Sequence, residues 1–237
     1  MALPQINSPI YELTIPSTNK KVKYRPFVVK EEKILLLALE SQEEDEITQA
    51  ILTILGNCIQ TKIDLDSLST FDIEYIFLNV RAKSVGEMLE FMITCPDDNE
   101  TQVEVEIDID DIKVHKEKEH TDTIDLNNGY FVKMKYPTMK YLMNKKVDAD
   151  KSMVENTFEY VVECIESIYN DEETWEAADS TKKELTEFVE SLNSKQYQKV
   201  QDFLNTMPKL KHTVQVRNPK TKVMSDVTIE GLANFFA

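Results

Sequence analysis

The feature that most constrains the fold of this chain is a change in the period of its apolar residues. Between residues 30 and 80 they recur at helical spacing, whereas from Gly86 to Lys135 they alternate with polar residues in short runs separated by turn sequences, and helical spacing returns from Pro137. Short alternating runs joined by tight turns pair with their chain neighbours as antiparallel hairpins. The pattern therefore predicts an α+β fold of mixed helices and antiparallel β-hairpins, with no parallel doubly wound sheet.

Hairpins are predicted at four places where turn residues separate two alternating runs. The clearest is Asn127-Asn128-Gly129, because a tight turn of this kind needs residues that tolerate positive φ. Turn chemistry is also present at Pro16–Asn19, Pro96–Glu100 and Asn218–Thr221. The intervening polar stretch over residues 114–122 is predicted to form a solvated loop.

Helices are predicted wherever apolar residues keep a spacing of three and four. Residues 34–39 of the first helix are apolar throughout, which predicts burial on most of its sides. Ser152 and Glu155 match a capping box, and the helical spacing continues to Tyr169, which predicts one long helix. The predicted helices span residues 30–39, 46–59, 70–80, 137–146, 152–169, 181–192 and 194–205.

The domain organisation is predicted with a soft boundary. Residues 1–126 contain the N-terminal hairpin, three helices and the central β-hairpin, and residues 127–237 contain a second hairpin, further helices and the terminal β-hairpin. A division near Asn127 to Pro137 fits this order. No proline- or glycine-rich linker marks it, so a single domain is the alternative.

The charge of the chain is strongly negative and unevenly distributed. Lys and Arg number 27 against 43 Asp and Glu, a net charge of −16, which disfavours nucleic acid and anionic membranes as partners. Residues 1–30 and 195–237 each carry a net +4, so the middle carries −24. Opposite potentials on one chain favour association with unlike protein neighbours, and ordinary solubility is the alternative explanation.

The cysteine pattern and the hydropathy predict a protein made and kept in the cytoplasm. Cys58, Cys95 and Cys164 are widely separated and have no disulfide-framework spacing. The first residues lack the basic start and apolar core of a signal peptide. No run of about 18 apolar residues occurs, so we expect no membrane insertion.

Two partial metal motifs are present, and neither predicts a bound ion. Cys95-Pro96-Asp97-Asp98 resembles one knuckle of a zinc ribbon, but Asp98 stands where the second cysteine is required and no later pair completes four ligands. The positions of a calcium loop are occupied by Asp148, Asp150, Ser152 and Glu159. Met153 holds the place that demands glycine, so a capped helix start is the better explanation.

No catalytic or cofactor site is predicted. The histidines are His115, His120 and His212, two of them in the polar loop and one before a strand. The chain has neither a Gly-x-Ser-x-Gly elbow nor a glycine-rich phosphate loop. Two carboxylates suffice for glycoside hydrolysis, so a carboxylate-dependent hydrolase stays open, although nothing selects a particular pair.

Four segments resemble one known family in their order and spacing. They are Lys23–Ala38 (KYRPFVVKEEKILLLA), Asn57–Ile59, Phe71–Tyr75 and Arg81–Glu87. Together they resemble the baseplate hub proteins of T4-type contractile-tailed bacteriophages. The resemblance is strong over Tyr11 to Asp110 and weaker beyond.

This resemblance implies a non-enzymatic structural or assembly component of the phage tail baseplate that contacts other tail proteins. It implies assembly in the host cytoplasm, a place in the tail of the virion, and no cofactor. An assembly chaperone or adaptor that is absent from the mature particle is the first alternative. A cell-wall hydrolase is the second.

Candidate interface residues are drawn from the basic N-terminal end, from the end of the third helix and from the C-terminus. Arg81 and Lys83 are expected to pair with the negative end of their helix or with Glu31 or Glu32. A short C-terminal helix is expected to dock its apolar side on the chain's own sheet or on a neighbouring protein. The candidates are Lys20, Lys21, Lys23, Arg25, Phe27, Arg81, Lys83, Leu232, Phe235 and Phe236.

Overall fold

The structure is a computed structural model that describes residues 7–144 and 152–231. Every strand pair in these two ranges is antiparallel, which confirms the predicted α+β class without a parallel sheet. The strands are β1 (Tyr11–Thr14), β2 (Lys21–Tyr24), β3 (Met88–Thr94), β4 (Gln102–Asp108), β5 (Lys113–His115), β6 (Thr123–Asp125), β7 (Phe131–Met134), β8 (Ile165–Tyr169), β9 (Thr174–Glu176), β10 (Lys209–Arg217) and β11 (Met224–Glu230).

Seven α-helices are present in the same ranges, and each begins close to a position predicted from the sequence. The capping box at Ser152 and Glu155 is confirmed, with the Ser152 N–H donating to the carboxylate of Glu155 at 2.7 Å. The helices are α1 (Val29–Ser41), α2 (Glu44–Cys58), α3 (Thr70–Val85), α4 (Met139–Asn144), α5 (Met153–Glu163), α6 (Lys182–Ser191) and α7 (Ser194–Thr206).

The chain forms two compact units. The first contains the described residues up to His115 together with those from Lys209 onward, and the second contains residues 116–208. This division differs from the sequential one expected near Asn127. The reason is that β10 pairs with β5 as well as with β11, which returns the end of the chain to the first unit.

The first unit has three small sheets, β1–β2, β3–β4 and β5–β10–β11, together with α1, α2 and α3. α3 lies at its centre, because residues on several sides of this helix are buried, among them Ile73, Ile76, Phe77 and Val80. A two-stranded ribbon cannot form a core alone, so each small sheet has to bury one face against other elements. In β2 the side chains alternate between buried and exposed, with Val22 buried between two exposed lysines, so one face of this hairpin packs against the rest of the unit.

A buried carboxylate connects the first hairpin to α3. Asp72 has no exposed surface, and it accepts hydrogen bonds from the Ser17 N–H at 3.0 Å and the Ser17 hydroxyl at 2.5 Å. It also accepts one from the hydroxyl of Ser69, the N-cap of α3, at 2.5 Å. A buried charge is tolerated only when bonded in this way, and the first turn of a helix further favours a carboxylate.

The prediction that α1 is buried on most sides was wrong. Leu35 and Ala38 are buried, but Leu36 and Leu37 are 55% and 56% exposed. α1 packs beside α2 through one side only, so a helix that is apolar all round leaves part of its apolar surface in solvent.

The second unit has the four-stranded sheet β6–β7–β8–β9, α4, and a core shared with α5, α6 and α7. The Asn127–Gly129 turn is confirmed, with positive φ at both of these residues. The long helix predicted over residues 152–169 was wrong, because α5 ends at Glu163 and Ile165 starts β8. Apolar residues at Ile165 and Ile168 fit a helix as well as a short buried strand, so periodicity alone does not distinguish the two.

Replacing Asp72 by alanine should destabilise the protein by about 2 kcal/mol, because the hydroxyls of Ser17 and of the buried Ser69 and the N–H of Ser17 lose their acceptor. Asp66→Ala is the matched control, since the Asp66 side chain is exposed and should change the free energy of unfolding by no more than about 0.5 kcal/mol. Urea unfolding followed by circular dichroism measures both. Equal effects for the two variants would contradict the role assigned to Asp72.

Candidate interaction surface

The lysines of the first hairpin form an exposed basic surface. Strand alternation directs Lys21 and Lys23 outward while Val22 and Tyr24 are buried, and Lys20 lies exposed just before β2. We call Lys20, Lys21 and Lys23 the basic hairpin surface. The structure brings these three predicted interface residues together on one short element.

Glu12 on β1 partly neutralises this surface. Its carboxylate lies 2.9 Å from Lys21 Nζ, and Glu12 stands opposite Lys23 in the strand register. The hydrogen bond between Glu12 and Lys21 lowers the pKa of Glu12 and raises that of Lys21. Pairs this exposed contribute little to stability, so these charges are available to other molecules.

Arg25 has an intramolecular role. Its guanidinium lies 3.0 Å from the carboxylate of Glu31, which is buried at the start of α1, and it also donates to the Pro26 carbonyl at 2.9 Å. The bond to Glu31 raises the pKa of Arg25. Burial acts to raise the pKa of Glu31, but the bonds from Arg25 and from the Val28 N–H outweigh burial and lower it.

Phe27 also belongs to the interior of the first unit. Its side chain is buried, and its N–H donates to the Ser84 hydroxyl on α3 at 2.9 Å. The segment from Arg25 to Glu31 therefore connects β2, α1 and α3 through specific hydrogen bonds.

Arg81 and Lys83 lie in the last part of α3 and differ in their surroundings. Arg81 is half-buried, and burial lowers the pKa of its guanidinium. Lys83, also half-buried, has its Nζ 5.9 Å from the centre of the Tyr11 ring and in contact with the carboxylate of Glu87. The hydrogen bond to Glu87 raises the pKa of Lys83. Lys83 thus lies beside the strand that carries Glu12, whereas Arg81 contributes to packing.

The three C-terminal candidates, Leu232, Phe235 and Phe236, lie outside the described residues. Asp148 and Asp150 of the partial calcium pattern do so as well.

The zinc-knuckle-like loop is held by hydrogen bonds to the last hairpin. The buried Asn218 side chain donates to Asp97 Oδ1 at 3.0 Å and to Asp98 Oδ2 at 2.9 Å, and the Thr221 hydroxyl donates to Asp97. Asp98, at the position of the missing cysteine, also accepts from the Thr101 hydroxyl at 2.6 Å. These bonds lower the pKa of both carboxyls.

His120 is a buried group, although the polar sequence of residues 114–122 predicts a solvated loop. Its Nδ1 lies 2.9 Å from the Thr206 hydroxyl and its Nε2 lies 3.0 Å from the Tyr136 hydroxyl. The ring also contacts Phe203, with 5.0 Å between ring centres. Burial, with a smaller effect of Lys116, lowers the pKa of His120 against the opposing effect of Asp122. No local sequence pattern indicates this burial, since the partners come from distant positions.

The cysteines are free and buried. Burial raises the pKa of the Cys58 thiol to about 11, which keeps it in its unreactive protonated form. Among the residues that the structure describes, no group of three His, Cys, Asp or Glu side chains could hold a metal ion. Within the same ranges, no helix has the length and apolar character needed to cross a bilayer.

The geometry thus defines an α+β protein whose buried charged groups join its own elements and whose basic hairpin is exposed. A family model described as T4 bacteriophage base plate protein matches residues 8–237. The chain belongs to this family, and it is a bacteriophage baseplate protein. No curated protein and no solved structure matches it.

Lowering the pH should weaken the hydrogen bonds that Asp98 accepts from Thr101 in its own loop and from Asn218 in the last hairpin. The carboxyl of Asp98 has a lower pKa in the folded than in the unfolded chain, so its contribution is present above the unfolded value of about 3.9 and is lost as the pH falls below it. Asp98→Asn does not titrate. The stability difference between wild type and this variant should therefore shrink as the pH falls through about 4, measured by urea unfolding. A difference that is constant with pH would contradict the assignment, and Asp66→Asn is the control.

His120 should make the protein less stable in mild acid. Its pKa is lowered in the folded chain, so below the unfolded value of about 6.5 the unfolded state binds a proton more readily and the folded state loses stability. His120→Gln should remove this dependence, whereas His115→Gln, at an exposed position, should keep it. Melting temperatures measured between about pH 8 and pH 5.5 provide the test. An unchanged pH dependence in His120→Gln would show that another group is responsible.

Proposed function

We propose that this protein is a non-enzymatic component of the baseplate hub that acts through contacts with other tail proteins. The observation that carries the proposal is the family match, which extends over residues 8–237 and so includes both units. The match supports a structural role in the baseplate, and the hub is the finer assignment that the resemblance of Lys23–Ala38 and the other segments adds.

The distribution of charged groups supports a role in protein contacts. Arg25, Glu31 and Asp72 are engaged in holding the first unit together. Lys20 and Lys23 are exposed, and Lys21 pairs with Glu12, which is itself exposed. Exposed charge of one sign on a chain of opposite net charge favours oriented association with a partner of complementary potential.

The proposed place in the particle is tested by mass spectrometry of purified virions and of isolated baseplates. We expect peptides of this protein in both, in a fixed ratio to the other baseplate proteins. An assembly adaptor is the alternative outcome, in which the protein is found in assembly intermediates but not in virions. Detection in neither fraction would overturn the proposal.

Reversing the basic hairpin surface should slow assembly without unfolding the protein. Lys20→Glu, Lys21→Glu and Lys23→Glu change exposed side chains, so the melting temperature should fall little, whereas the association rate with isolated baseplate intermediates should drop. Wild-type association should also slow with added salt, because charges separated by more than about 8–10 Å become screened.

Lys116→Glu combined with Lys118→Glu is the control, since it reverses exposed lysines of the second unit. If the association rate is indifferent to salt and equal in the two sets of variants, charge steering by the hairpin is excluded.

A further inference from the structure

The apolar surface that α1 leaves in solvent continues into a groove between α1 and α2. The groove encloses about 410 Å³ and is lined by Ile34, Leu37 and Ala38 from α1 and by Asp45, Glu46 and Ala50 from α2. Leu37, which lines the groove, is more than half exposed. Exposed apolar surface of this kind, bordered by polar residues, is typical of a site that another protein covers.

One end of the groove is strongly acidic. No Lys, Arg or His occurs from Ile34 to Gln60, whereas five acidic residues occupy positions 40–46. Glu40, Glu43, Asp45 and Glu46 form no ion pair within residues 7–144 and 152–231.

The helix dipoles explain only part of this acidity. Asp45 and Glu46 lie in the first turn of α2, where the positive end of the helix favours carboxylates. Glu40 lies in the last turn of α1, where the negative end disfavours one. Glu40 therefore adds negative charge that the dipole of its helix does not stabilise, and a positive charge supplied by a partner would be favoured there.

We propose that the α1–α2 groove binds an amphipathic helical segment of another baseplate protein, with apolar residues at helical spacing and Lys or Arg at one end. The apolar side of the segment would cover Ile34 and Leu37, and its basic end would face Asp45 and Glu46, with Glu40 nearby at the end of α1. Recognition of an amphipathic helix in an apolar groove is a common mode of protein contact. The inference rests on the proposed function for the identity of the partner, but the chemistry of the groove is independent of it.

A second copy of this chain is a poorer occupant. In a symmetric contact both grooves would contribute carboxylates and no Lys, Arg or His from residues 34–60, and like charges in one interface oppose binding. The exposed lysines of the basic hairpin surface lie on a β-hairpin, which does not present apolar residues at helical spacing.

The first experiment tests the groove in the purified full-length protein. The probe is a synthetic peptide of about 18 residues, long enough for five helical turns, with Leu at helical spacing, Lys at one end and Gln elsewhere. A peptide of the same composition with its Leu positions scrambled is the control. We expect the probe to shift amide NMR signals of α1 and α2 and to bind more tightly than the scrambled peptide.

Matched variants locate the binding. Leu37→Asp should lower the affinity for the probe by about tenfold or more, as loss of a central apolar anchor does. Val223→Asp places the same charge at another exposed apolar residue and should leave the affinity unchanged. The double variant Asp45→Lys with Glu46→Lys should lower the affinity for the basic probe. It should raise the affinity for a peptide in which Glu replaces the Lys residues of the probe. Equal binding of the scrambled peptide, or equal effects of Leu37→Asp and Val223→Asp, would overturn the proposal.

The second experiment identifies the natural occupant. A photo-crosslinking amino acid at position 37, with position 66 as the control, is introduced during phage infection, and adducts in isolated baseplates are sequenced by mass spectrometry. We expect a basic amphipathic segment of another tail protein at position 37 alone. Adducts between two copies of this chain, adducts to acidic segments, or none at all would overturn the proposed occupant. If the protein is missing from virions and from assembly intermediates, the proposed function fails. The peptide experiment still tests, independently, whether the groove binds a basic amphipathic helix.

Discussion

The first unit depends on carboxylates that are removed from solvent and surrounded by donors. Asp72 holds the turn of the first hairpin and the N-cap serine of α3, and Glu31 holds Arg25 and the backbone before α1. Such groups would destabilise the fold if their partners were lost, since an unpaired buried charge costs several kcal/mol. They therefore fix how the hairpin, α1 and α3 meet, and the small sheets of the unit are arranged around that junction.

Most of the secondary structure was predictable because its determinants are local. Turn residues located the hairpins, and Ser152 with Glu155 located a helix start, since each acts within a few residues of its own position. The errors arose where distant contacts decide the outcome. β8 is a strand because β7 and β9 lie on either side of it, which residues 165–169 do not reveal. The burial of His120 likewise depends on Thr206, 86 positions further along the chain.

The candidate surface was only partly accessible to sequence reasoning. Strand alternation correctly separates the outward Lys21 and Lys23 from the buried Val22. A local pattern does not distinguish a charged residue that pairs within the chain from one left for a partner, and Arg25 and Lys23 lie only two positions apart. The exposure of Leu36 and Leu37 was missed for a related reason: an all-apolar helix indicates that burial is needed but not which molecule provides it.

The pairing of β10 with both β5 and β11 has a consequence for synthesis of the protein. β5 is complete when the ribosome has made residue 115, but its partner begins at Lys209, so the whole second unit is translated in between. During this interval the nascent chain presents an unpaired strand edge and lacks the buried Leu210. Domains fold as they emerge, and the second unit can fold first because its residues are continuous. Premature termination within the second unit would therefore release a chain whose first unit is incomplete and prone to pair with other exposed strands.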